Sequence, residues 1–196
     1  MSKVKIQGNA SGTAEFTIEA PNGSTNRTLT LPDKTGTLLD SSGQMIDMWR
    51  MTADFDAPSE GATISSNLER VDDPSYGGIG TGMTQSSGIF TFPSTGIYLV
   101  MLKAEFNPVT ADGACLVNIQ VTQDNSAYDI VARAIAGDAT SSSVIHGACA
   151  FATVDVTDVS NVKVKFTAGS MGSGRDILGS TTITYTGFYF MRLGDT

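Results

Sequence analysis

Two stretches of this chain carry apolar residues on both faces of a prospective β-strand. Gly88 to Phe106 reads GIFTFPSTGIYLVMLKAEF, and Thr181 to Gly194 reads TTITYTGFYFMRLG. A strand buried on one face needs apolar residues only at every second position. From Ile97 onward, one face carries Tyr98, Val100, Leu102, Ala104 and Phe106. The other carries Ile97, Leu99 and Met101 before turning polar at Lys103 and Glu105. The closing stretch repeats the pattern, with Phe188 and Phe190 on one face and Tyr189, Met191 and Leu193 on the other. A two-sheet sandwich uses one of these faces. The second calls for a partner, and the reading is another copy of the same chain.

Composition supports strands over helices. The chain has 196 residues, 21 of them glycine, is rich in Thr and Ser, and lacks Glu/Lys-rich stretches. At this length a chain buries roughly 70% of its unfolded surface and needs no covalent staples. Its formal net charge of −8 disfavours a phosphate backbone, so nucleic acid is not an expected partner. No apolar run approaches the roughly 20 residues of a membrane-spanning helix, and the beginning, MSKVKIQGNASG, lacks an apolar segment of signal-peptide length. Folding in a cytoplasm is therefore expected. Cys115 and Cys149 both sit in apolar runs and read as small buried thiols.

Two blocks differ in character. Residues 1–43 form a polar, Thr-rich arm whose short alternating pieces, Val4–Ile6, Phe16–Ile18 and Leu29–Leu31, are separated by turn signals at Gly8-Asn9, Pro21-Asn22-Gly23 and Pro32-Asp33. Each piece supplies too few apolar residues for a core of its own. The arm is expected to be ordered by contact, with Phe16, Ile18, Leu29, Leu31, Leu38 and Leu39 as its attachment residues. Residues 44–196 read as one all-β domain, with strands near 46–55, 62–65, 68–71, 88–92, 96–106, 114–123, 127–136, 144–156, 161–168 and 181–193. The 147–156 run sets Ala148, Ala150 and Ala152 on one face, which permits close approach between sheets or between subunits.

The arm resembles a segment recurrent in bacteriophage virion proteins, especially tail fibres of marine phages. The residues that carry this are Gly8–Thr13, Glu19–Asn22, Asn26–Asp33 (NRTLTLPD) and Thr35–Leu39 (TGTLL). The second block resembles the globular head of complement-type and tumour-necrosis-factor-type trimers. That likeness rests on Gly88-x-Phe90-x-Phe92-Pro93-x-x-Gly96-x-Tyr98 and on Tyr185-x-Gly187-Phe188. It implies a ten-stranded jelly-roll sandwich assembled as a compact threefold homotrimer. Ile97, Leu99, Met101, Tyr189, Met191 and Leu193 are the expected trimer interface. The chain has no Gly-X-Y repeat, so any stalk role falls to the arm.

Catalytic signatures are weak. Gly169–Asp176 is Gly- and Ser-rich but lacks the Gly-Lys-Ser/Thr ending of a phosphate-binding loop, and Tyr76–Gly82 has no strand–helix context. His146, the single histidine, has no partner at metal-ligand spacing, and no Ser occupies a nucleophile elbow. Scattered aspartates read as solvated loop charges. No cofactor or metal is expected. The function read from the sequence is that of a non-enzymatic virion structural protein, assembled in the host cytoplasm. It would serve as a short tail or side fibre whose knob contacts a host-surface glycan or protein. A capsid decoration protein is the alternative, and a carbohydrate-active enzyme a remote one. Tyr76, Arg175 and Asp176, in polar Gly-rich loops, are the nominated outward contacts: a flat ring with a hydroxyl, a planar donor fork and a carboxylate.

Overall fold

A computed structural model describes residues 23–24, 44–56, 58–108, 114–137, 145–170 and 175–196. The chain divides into two units, Met1–Thr37 and Leu38–Thr196. The nominated arm residues Phe16, Ile18, Leu29, Leu31, Leu38 and Leu39 lie outside the described residues.

Among the described residues the second unit is built from strands alone. In chain order these are β1 (Met45–Met51), β2 (Phe55–Asp56), β3 (Leu68–Arg70), β4 (Thr84–Ser86), β5 (Ile89–Thr91), β6 (Gly96–Pro108), β7 (Cys115–Thr122), β8 (Asp129–Ala136), β9 (His146–Val156), β10 (Lys163–Gly169), β11 (Arg175–Ile177) and β12 (Gly187–Gly194). They form two antiparallel sheets. One runs β2-β11-β6-β12-β1-β3, with β9 on the other side of β6, and the second runs β4-β5-β10-β7-β8. The chain passes repeatedly between the sheets, as in a jelly roll.

The core lies between the sheets, and the double alternation sorts as the sequence implies. Tyr98, Val100, Leu102, Ala104 and Phe106 of β6 are buried, as are Phe188 and Phe190 of β12. They meet Phe90 of β5 and Phe166 of β10 from the opposite sheet. The Phe166 and Phe188 rings stand 4.2 Å apart between centroids, and Phe90 lies 5.4 Å edge-on to Trp49 of β1. Such ring pairs add roughly 0.5–1.5 kcal/mol beyond their buried area. The Pro93–Gly96 turn is fixed by Tyr98, whose hydroxyl bonds the Ser94 Oγ at 2.9 Å and donates to the Ser94 carbonyl at 3.0 Å. Gly96 has φ 142°, and a Cβ there would stand 2.5 Å from the Gly194 carbonyl oxygen, so only glycine fits the start of β6.

Departures from expectation are local. The 46–55 strand divides into β1 and β2, and 62–65 contributes only an isolated bridge, Thr63 to Thr167. The 181–193 strand begins at Gly187. Upstream, the Thr182 and Ile183 amides donate to Ser180 Oγ at 3.2 and 3.3 Å, a local bonding pattern that competes with a ladder. β4 and β11 were not expected. The alanines of β9 point into the sandwich, with Ala150 buried, and so serve contact between the sheets.

Candidate functional site: an apolar face on the first sheet

The register of four strands assembles one surface. Met48 of β1 pairs with Tyr189 of β12, Tyr189 with Met101 of β6, and Met101 with Phe151 of β9. The adjacent row on the same face runs Ile46, Met191, Leu99 and Thr153. Side chains two residues apart on a strand share a face, so these rows form a continuous patch on the side of the sheet away from the core. Met101 is 42% exposed, Leu193 53% and Phe151 72%, while Ile97, Leu99 and Tyr189 are half-buried. Five of the six residues nominated for the interface, Ile97, Leu99, Met101, Tyr189 and Met191, thus lie on the outward side of β6 and β12, and Leu193 is exposed at the bulge between Arg192 and Gly194. Contiguous exposed apolar surface of this kind makes this face the candidate interaction site.

Sequence reasoning missed Ile46, Met48 and Phe151. Ile46 and Met48 alternate within MIDMWRM, and Phe151 alternates with Ala150 and Ala152. Both patterns were visible, but only the pairing register shows that they extend the rows begun by β6 and β12.

A loop closes one margin of the face. Ile46 and Ile79 exchange backbone hydrogen bonds of 3.1 and 3.0 Å, adding a bridge to the edge of β1. Gly80, with φ 68°, lets the chain lie against the Gln44 carbonyl, where a side chain would collide. The buried Asp47 fastens the loop from beneath. Its Oδ1 accepts from Met48 N at 3.0 Å and Arg70 Nε at 2.8 Å. Its Oδ2 accepts from Trp49 Nε1 at 3.0 Å, Arg70 Nη2 at 3.2 Å and Met83 N at 2.7 Å. The Arg70 guanidinium also lies over the Trp49 ring, 5.0 Å from its centroid. The result is a hollow of about 140 Å³ whose walls include Met48, Leu99, Met101, Tyr189 and Met191, with Tyr76 and Gly77 at its rim. Burial raises the Tyr189 phenol above its ordinary pKa, reinforced by Tyr76 and Cys149 and opposed by Lys103.

The nominated outward contacts do not form one site. Tyr76 is 47% exposed and lines the hollow. Arg175 is 1% exposed and opens β11, where Nη1 donates to Cys115 Sγ at 2.6 Å. An arginine so enclosed cannot present its donor fork to an external ligand. Asp176 is half-buried beside it, in register with Asn107 of β6 and Asp56 of β2. β11 pairs with the Phe106–Pro108 end of β6, roughly 20 Å along the strand from the Leu99–Met101 region. Cys149 is exposed on the outward side of β9, contrary to the expectation of two buried thiols. Glu69 and Asp72, a carboxylate pair that the fold brings together, both bind Arg50, at 2.5 and 3.0 Å. Asp124 and Asp158 organise turns. Asp124 accepts from Thr122 Oγ1, Ala127 N and Ser126 N, and Asp158 from Ser160 Oγ, Ser160 N and Asn161 Nδ2. These bonds lower both carboxyl pKa values.

A two-sheet jelly roll with this strand pairing has the tumour-necrosis-factor-like fold. Among solved structures, murine APRIL superposes with a TM-score of 0.56 at 13% identity, covering 76% of this chain and 99% of that one. Eiger TNF from S. frugiperda gives 0.56 at 10% identity, covering 78% and 94%. At such identities the likeness is one of fold. No protein-family model and no curated protein sequence matches the chain.

Proposed function

We propose that this chain is a non-enzymatic structural protein that works as a homotrimer, its jelly roll forming an outward knob on a bacteriophage particle. In this reading residues 1–43 attach the knob to other virion proteins, as in a short tail or side fibre, and the knob contacts the host surface. The protein resides in the virion and is assembled in the host cytoplasm.

The observation that carries the assembly is the two-row apolar face. A chain of net charge −8 keeps Ile46, Met48, Leu99, Met101, Tyr189 and Met191 together on one side of a sheet, with Lys103 and Asp155 only beyond the rows. A second apolar group, Ile130, Val131 and Ile135, is exposed on β8 of the other sheet. Two different patches on one protomer suit a head-to-tail contact that closes into a ring. The tumour-necrosis-factor-like fold supports three as the closing number. The virion assignment rests on the arm, through NRTLTLPD and TGTLL.

Light scattering on the full chain tests the assembly, which requires a three-chain species at micromolar concentration. A stable monomer there would refute it. Deleting residues 1–43 tests the placement. The truncated head should remain folded and trimeric yet fail to join particles, and normal copy number on virions would move the anchor elsewhere.

A further inference from the structure

Resting on the trimer reading, we propose that Phe151 of each protomer seats in the Tyr76-rimmed hollow of its neighbour, so that each hollow is completed by a second copy of this chain. Among the described residues, Phe151 is the most exposed large apolar side chain, at 72%. On the outward face of β9 it stands between Cys149 and Thr153, both smaller, while Ala150 and Ala152 point into the sandwich. A protruding ring beside small residues is the shape of a knob.

The hollow is the matching receptor. Its walls are apolar, and the one charged residue among them, Asp47, already accepts five hydrogen bonds. A charged occupant would find no counter-ion free there. A hollow of about 140 Å³ is of the order of a single large side chain. It is therefore suited to one neutral ring and not to an extended ligand.

The knob does not serve its own hollow. Phe151 is in register with Met101, Met101 with Tyr189, and Tyr189 with Met48. Phe151 thus stands three strand spacings from Met48, roughly 14 Å. Met48 is the far wall of the hollow and Met101, the register partner of Phe151, its near wall, yet the Phe151 ring stays 72% exposed and does not fill the hollow beside it. A ring that stays outside the hollow on its own protomer suits a head-to-tail contact, since each protomer then offers a knob to one neighbour and a hollow to the other.

The test uses the full chain with Cys149→Ser, into which Phe151→Cys and Met48→Cys are introduced singly and together. Within one protomer these positions exceed the roughly 7 Å Cα separation a disulfide allows. Mild oxidation of the double variant should therefore link three chains covalently on denaturing gels, while the single variants stay unlinked. Covalent dimers from Phe151→Cys alone would show the three rings meeting one another, and would overturn the proposal while leaving the trimer intact. A double variant that is trimeric by light scattering but unlinked would overturn it as well. A monomeric parent would instead refute the trimer reading beneath it. As a check independent of cysteine chemistry, Phe151→Ala should raise the concentration at half-dissociation by about tenfold or more, given what burying one Phe contributes. An unchanged midpoint would count against the knob.

Discussion

Replacing Met191 by aspartate separates the fold of a protomer from its assembly. Met191 is 38% exposed and points away from the core, between Leu99 of β6 and Ile46 of β1. In an isolated protomer the new carboxylate reaches water, and the core residue Phe190 beside it keeps its place on the other face. The head should therefore fold with a change in stability within about 1 kcal/mol. In the proposed trimer the same carboxylate would be enclosed by apolar rows without a cation beside it. Leaving a charge buried and unpaired costs roughly 3–5 kcal/mol, or about 10 kcal/mol over three copies. For a monomer–trimer equilibrium that moves the midpoint concentration by roughly a thousandfold or more. The assay is light scattering over a dilution series, with circular dichroism to verify the fold and Met191→Leu as a volume-conserving control that should remain trimeric. If Met191→Asp stays a three-chain species to the same dilution as the parent, this face is not the interface.

Two further outcomes follow from local chemistry. Asp47→Ala strips the acceptor from Met83 N and Arg70 and should lower stability by roughly 2–3 kcal/mol, because Arg70 is half-exposed and regains water. This is read as a drop in urea midpoint, with faster amide exchange across residues 71–83, and an unchanged midpoint would refute the clamp. Asp124 and Asp158 have folded pKa values below the ordinary 3.8. The stability they contribute is present above that value and fades as pH falls through their folded pKa, and Asp158→Asn should flatten part of the acid limb of a urea-midpoint profile.

What could be read in advance depended on how local the signal was. β6 and β12 carry their alternation within single stretches, so both the buried and the outward set were legible at Tyr98–Phe106 and Phe188–Leu193. Thr181–Thr186 alternates as well, yet Ser180 takes its amides, and nothing in the pattern distinguishes the two outcomes. β11 was hidden for the opposite reason. Arg175-Asp176-Ile177 follows a Gly- and Ser-rich run and looks like loop, but its pairing with Phe106–Pro108 draws the arginine inward to Cys115. An arginine is buried when tertiary contacts supply partners for its donors, and those partners come from β7, 60 residues away in sequence.

The same distinction explains why the outward face was legible and its hollow was not. Three residues on each of two strands already imply an apolar surface. A hollow needs a wall, and this wall comes from three distant sources: Ile46 and Met48 of β1, the register that sets them beside Tyr189 and Met191, and a loop carrying Tyr76. The loop is held there by Gly80, which admits the close backbone approach, and by Asp47, which points inward from β1 between Ile46 and Met48. One strand thus contributes apolar wall from its outward side and the loop's anchor from its inward side. Alternation on β1 couples the two, so a change at Asp47 that frees the loop should also open the hollow, even though Asp47 would touch no partner. An assembly defect in Asp47→Ala larger than its loss of protomer stability would be the mark of that coupling. A defect no larger than the stability loss would mean that the hollow holds its shape without the clamp.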